Sequence, residues 1–361
     1  MTKRIYLTIL AVTAAVLIAG STDTYASSEF EQVSTSDISI EGQTIVIIEG
    51  INGRLSIIGE KRDDILLKVV KKGVAGDRDE ADEMLSLMEV KVTKTAETVR
   101  LEAVYPGKFR TKKNLISFMI SRSPKMSMEI TLLIPEGMKL GASMASGVVI
   151  VSSLVSGADV DVASGKLIVR DIRGSVNATL SSGAMEVINV DGTAVLSSAS
   201  GMIKAREISG DIEASIASGR MELSGLGGGL KCSIEYGTLI VDGVGDVNFH
   251  GIAAESSFTG VRGAVDASTA SGAVYFRAVP ASDVNYSIIA SSGDISLIFN
   301  GRMEGGYILK AGTTSGEISI DLPIDVKKVG RNSITGVVRE GKSKVFLETA
   351  SGDIIVEEIE E

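Results

Sequence analysis

The chain has 361 residues, 46 acidic against 36 basic side chains, and a formal charge of −10 at pH 7. So acidic a polypeptide is poorly suited to general nucleic-acid binding. One cysteine, Cys232, excludes an internal disulfide, and one histidine, His250, leaves no cluster for zinc.

Residues 1–26 read as a secretory signal peptide. Lys3 and Arg4 form its charged start, Ile5–Ala19 is an apolar run, and Thr24-Tyr25-Ala26 ends it in a small-x-small cleavage pattern. The run is shorter than the roughly 20 residues a membrane span needs, and no cysteine directly follows it to carry a lipid anchor. The expected location is outside the cytoplasm: periplasmic, cell-surface or secreted.

Residues 27–36 are rich in Ser, Thr and Glu and read as a flexible lead-in. Strands are expected over Asp37–Ile40, Thr44–Glu49, Arg54–Gly59 and Ile65–Lys71, with Asn52-Gly53 as a hairpin-type turn. Asp77 is placed to cap a short helix in which Ala81, Met84, Leu85 and Met88 recur at helical spacing. Strands resume at Glu89–Thr93, Val99–Val104 and Met128–Ile134. Residues 37–140 therefore read as a β-rich N-terminal cap module that covers the open sheet edge of the repeats over residues 141–361.

Inside that module, Gly107–Lys125 has unusual chemistry. It carries Lys108, Arg110, Lys112, Lys113, Arg122 and Lys125 with no acid, interleaved with Phe109, Leu115, Ile116, Phe118, Met119 and Ile120. Such a stretch suits an anionic polymer or a membrane surface. The plainer reading is a solvated basic tip on a long hairpin.

Over residues 141–361 one phrase organises the chain. Ser146-Gly147 returns as Ser164-Gly165, Ser182-Gly183, Ser200-Gly201 and Ser218-Gly219, each 18 residues on, and then as Tyr236-Gly237. Looser spacing carries it through Ser271-Gly272, Ser292-Gly293 and Ser315-Gly316 to Ser351-Gly352. The second and fourth residues after each glycine are apolar, as in Leu167/Val169, Met185/Val187 and Ile203/Ala205. Alternation of this kind marks a short strand buried on one side. A second strand opens after Gly174, Gly192 or Gly210 and points Val176/Ala178/Leu180, Ala194/Leu196 and Ile212/Ala214/Ile216 inward. Eighteen residues cannot bury enough surface to stand alone, so the units must stack. The fold class is all-β: a single-chain β-solenoid (β-helix) of about 18-residue rungs with an N-terminal β-rich cap containing one short helix. The closing Glu357, Glu358, Glu360 and Glu361 are expected to blunt the far edge.

Motifs of catalysis are thin. Gly336-Val337-Val338-Arg339-Glu340-Gly341-Lys342-Ser343 matches the phosphate-loop pattern, but the next residues read as a strand where that loop needs a helix. No nucleotide is therefore expected. Cys232 falls at a buried position of its rung, and His250 falls at an outward one. Gly225–Gly229 reads as a turn without a calcium-ligating Asp, and Asp159/Asp161 as a solvated strand face. No catalytic residue, metal site or cofactor emerges.

The order Glu49-Gly50-Ile51-Asn52-Gly53, strand, short helix, then repeated Ser-Gly-x-Ile-x-Val resembles a bacterial family, the putative-adhesin β-strand-repeat family. The resemblance spans roughly 37–356 and implies an exported β-helix of unknown function with no catalytic residues to carry over. The reading reached is a non-catalytic extracytoplasmic β-solenoid, an adhesin or envelope scaffold with an envelope or surface partner. Its rivals are an accessory or sensor protein of the envelope-stress response and a polysaccharide-acting or acyl-transferring enzyme on a β-helix.

Overall fold

The computed structural model describes residues 28–105 and 126–359. The chain divides into two compact units, Met1–Arg173 and Gly174–Glu361.

The first unit contains β1 (Ser28–Ser39), β2 (Ile45–Glu60), β3 (Asp64–Ala75), α1 (Arg78–Ser86), β4 (Glu89–Lys94), β5 (Thr98–Val104), β6 (Met126–Pro135), β7 (Lys139–Leu154) and β8 (Ala158–Arg173). The two halves of β2 each pair in parallel with β7, and one pairs also with β5, the other with β6. Asn52-Gly53 is therefore a corner and not the expected hairpin turn. Gly50 and Gly53 take φ of +77° and +135° there, turning the chain from one face to the next. Both halves alternate, so Val46, Ile48, Leu55 and Ile57 all reach the core. A hairpin would have set the halves against each other and left β7 without its partner.

Antiparallel strands cover this parallel stack: β3 on β6, β1 on β3 and β4 on β5. The expectation of a flexible lead-in is corrected here. Residues 28–36 belong to β1, which pairs with β3 in unbroken register from Ser28↔Ala75 to Ser39↔Asp64. Its polar composition concealed a strand ordered by ladder hydrogen bonds more than by burial. The helix forms as expected. Asp77 accepts the Glu80 N–H at 2.8 Å, and Ala81, Met84 and Leu85 are buried. At the other end Lys71 Nζ donates to the Leu85 carbonyl at 3.2 Å. Burial pulls the Lys71 ammonium below its usual range, against the raising pull of Glu89.

The second unit opens with five bent strands, one per rung: β9 (Val176–Asp191), β10 (Ala194–Ile208), β11 (Ile212–Leu226), β12 (Leu230–Val244) and β13 (Val247–Val261). Each pairs in parallel with the next at the repeat spacing, as in Ala194↔Ile212 and Gly201↔Gly219. The rungs then split at the corner into β14 (Val265–Ser271) with β15 (Val274–Ala278), and β16 (Tyr286–Ser292) with β17 (Ile295–Asn300). Phe258 and Phe276 stack at 4.4 Å inside this part, and Phe249 meets Phe258 edge-on at 5.3 Å.

Chain order and stacking order then part company. The remaining strands are β18 (Tyr307–Ser315), β19 (Ile318–Asp321), β20 (Asp325–Val329), β21 (Ser333–Val338), β22 (Ser343–Ser351) and β23 (Ile354–Ile359). The final pair, β22 and β23, lies between β16/β17 on one side and β18/β19 on the other. Glu357 and Glu358, within β23, are thus not at an edge, contrary to expectation, and Glu360 and Glu361 lie outside the described residues. Glu358 sits instead against Arg339, whose Nη1 and Nη2 donate to its two carboxylate oxygens at 2.9 and 2.5 Å. The outer edge is β19, with Ile318 and Ile320 half-buried, and β20, exposed throughout. β20 carries Lys327, Lys328 and a bulge, which are devices that discourage further strand addition.

The Ser-Gly corner explains the repeat. A Cβ on Gly219 would lie 1.9 Å from the Gly201 carbonyl oxygen, and one on Gly237 would lie 1.8 Å from that of Gly219. At these glycines, with φ near +130°, the rungs approach too closely for a side chain, whereas β13 carries Ala254 in the same column without a positive φ.

Candidate functional site

Stacking in register turns each outward position into a column. On the face formed by the first half of each rung in the second unit, these columns enclose a shallow groove of about 840 Å³. It crosses β10, β11, β12, β13, β14 and β16. Behind it lies the turn-proximal end of the inward column, Ile212, Leu230, Val247 and Val265, all buried, while Val195 lines it as an exposed apolar residue.

The walls are acidic. Asp211 and Asp246 precede inward strands, and each accepts a backbone N–H of the next rung at 2.8 Å, from Gly229 and Ala264. These bonds tie rung to rung and fix both carboxylates in place. Glu213 pairs with Lys231 at 2.7 Å, while Asn248 and Asp266 continue the same outward column. Four carboxylates therefore face one ammonium along the groove.

Beside it, His250 is exposed as expected, and its Nδ1 lies 3.0 Å from Ser268 Oγ. Sequence reasoning missed this partner, although the offset between the two residues is one repeat. A Ser–His contact is the first part of a nucleophilic dyad, which needs a third group to orient the base. Among the described residues no carboxylate hydrogen-bonds this ring, and no group of three His, Cys, Asp or Glu could hold a metal ion.

The other residues singled out by sequence are scattered. Lys108, Arg110, Lys112, Lys113, Arg122 and Lys125 lie outside the described residues. The phosphate-loop match joins β21 to β22, two strands, and Ser343 is buried with 1% exposure, so it offers no hydroxyl to a ligand. Lys342 pairs with Glu340 at 3.0 Å. Asp159 and Asp161 stand exposed on β8. Asp211, Glu213, Asp246 and Asp266 were not foreseen as a group, because they converge only once the rungs are stacked.

On the other face of the second unit the columns alternate in charge. Lys204 meets Glu222 at 2.8 Å, Arg206 meets Glu186 at 3.1 Å, and Arg220 also pairs with Glu222. Hydrogen bonds from Lys204 and then Arg220 hold the Glu222 carboxyl below its usual range. Exposed pairs of this kind add little stability, about 0.5 kcal/mol each.

Cys232 lies in the core column between Ala214 and Phe249, 3% exposed, and burial pushes its thiol well above the usual range. A buried, protonated thiol is a poor nucleophile. We expect no labelling of the native protein by a thiol reagent until denaturant is added. Rapid labelling without denaturant would contradict the inward placement of this column.

The chain is matched over residues 43–357 by a family model described as Toastrack DUF4097. Three solved structures are similar. A "putative cell adhesion protein" from Clostridium sporogenes is 12% identical, with 91% of this chain and 100% of that one covered, at a TM-score of 0.20. A "putative lipid binding protein" from Parabacteroides distasonis is 13% identical over 89% and 96% of the two chains, at 0.32. A "putative adhesin" from Parabacteroides merdae is 11% identical over 91% and 96%, at 0.28. No curated protein matches the chain.

Proposed function

Because the chain belongs to the Toastrack DUF4097 family, with 43–357 matched, we propose that it is a non-catalytic extracytoplasmic β-solenoid of adhesin or envelope-scaffold type. The observation that carries this reading is the groove. Its walls are columns drawn from six successive rungs, so it suits an extended partner better than a small substrate held by converging groups. The apolar run at 5–19 supports export.

A second contact is assigned to Gly107–Lys125, directed at an anionic envelope polymer or membrane surface. Each of its six cations contributes up to about 1 kcal/mol near a negative bilayer, screened beyond about 8 Å in physiological salt. The protein lacking residues 1–26 should sediment with phosphatidylglycerol vesicles at low salt and release as salt rises. Lys112→Glu with Lys113→Glu should remove most of that binding. Binding that survives the double reversal, or ignores salt, would sink this assignment.

A further inference from the structure

We propose that the groove across β10–β16 receives the basic segment Gly107–Lys125 of a second copy, so that the chain associates with itself through unlike surfaces. The inference rests on the reading of the groove as a contact face, and it names the partner.

Charge gives the first argument. The groove sets Asp211, Glu213, Asp246 and Asp266 against Lys231 alone, so it repels polyanions and attracts an extended cation. The segment supplies six cations and no acid, in a chain whose net charge is −10. Surface chemistry gives the second. Among the apolar residues lining the groove Val195 is the open one, 46% exposed, and it offers a contact to the apolar residues that the segment interleaves with its cations, Phe109, Leu115, Ile116 and Phe118. A small metal ion could use only the charges, and the acids are spread over several rungs instead of forming a chelating set.

Length gives the third. Six strands at about 4.8 Å spacing span roughly 24 Å. At about 3.3 Å per residue, seven or eight extended residues, on the order of half the segment, cover that distance. Groove and segment are different patches, so the contact is heterologous and leaves one free copy of each on every dimer.

The test uses three full-length proteins lacking only residues 1–26. One is native. The second carries Asn248→Lys and Asp266→Lys, outward groove positions. The third carries Lys112→Glu and Lys113→Glu. In analytical ultracentrifugation at about 0.01 M salt, where screening is weak, the native protein should self-associate, and at about 1 M it should be monomeric. Each variant alone should associate about tenfold more weakly or worse. Mixed together they should associate again, because one brings an intact segment and the other an intact groove. Circular dichroism of each variant checks that it folds. A native protein that stays monomeric at low salt overturns the proposal, and so does a mixture no stronger than its parts. Vesicle binding by the groove variant is a separate arm. If it persists while the native protein stays monomeric at low salt, this inference fails and the anionic-surface assignment stands.

Discussion

Gly219→Ala should remove several kcal/mol of stability, enough to leave the second unit unfolded in mild denaturant. The added Cβ would meet the Gly201 carbonyl oxygen at 1.9 Å and its carbon at 2.9 Å, at a φ of +137°. Neither partner can retreat, because both backbones are held in parallel ladders with rungs on either side. The effect joins a disfavoured backbone to a steric clash, a combination that places it in the tail above about 4 kcal/mol. Gly225 is the control. Its φ is also positive, +63°, but its Cβ would find nothing closer than 3.6 Å. Gly225→Ala should therefore cost about 1 kcal/mol, the backbone contribution alone. Urea melts of the two variants separate these outcomes, and equal losses would mean that close rung contact is not what the Ser-Gly phrase provides.

Ile203→Asp should be nearly as damaging. Ile203 is fully buried, and its partners in the neighbouring rungs are Met185 and Met221. A carboxylate there has no cation or donor within the column, so it either stays protonated or forces the rungs apart, at a cost of about 4 kcal/mol or more. The next residue, Lys204, points outward to Glu222. Lys204→Gln should cost about 0.5 kcal/mol, the value of an exposed pair. If both variants melt at the same temperature, the inward and outward faces have been exchanged.

What was legible in the sequence was whatever one rung or its immediate neighbours decide. The spacing of Ser-Gly pairs established the stack, and alternation around Gly183, Gly201 and Gly219 assigned Met185, Ile203 and Met221 to the core. Local chemistry also found α1, because Asp77 and the apolar residues at 81, 84, 85 and 88 act within one short segment. Long-range order was not legible. Ser292-Gly293, Ser315-Gly316 and Ser351-Gly352 are the same phrase, so nothing local says that the last stacks between the other two. The polar β1 and the corner at Asn52-Gly53 were misread for a related reason: both take their conformation from partners distant in sequence. The groove belongs with these. Asp246 and Asp266 were visible as residues, but their convergence with Asp211 and Glu213 is a product of the register.

That register, including its break in chain order, can be tested by cross-linking on a background with Cys232 replaced by alanine. Ser351 faces Ser292 on one side and Ser315 on the other, and all three are exposed. Neighbouring rungs set Cα atoms about 4.8 Å apart, within disulfide reach, whereas a rung skipped doubles this to about 9.6 Å, beyond it. Under mild oxidation, Ser292→Cys with Ser351→Cys should link efficiently, as should Ser315→Cys with Ser351→Cys, and Ser292→Cys with Ser315→Cys should stay reduced. A solenoid stacked in simple chain order would link 292 to 315 and leave 292 and 351 apart, and that result would contradict the fold described.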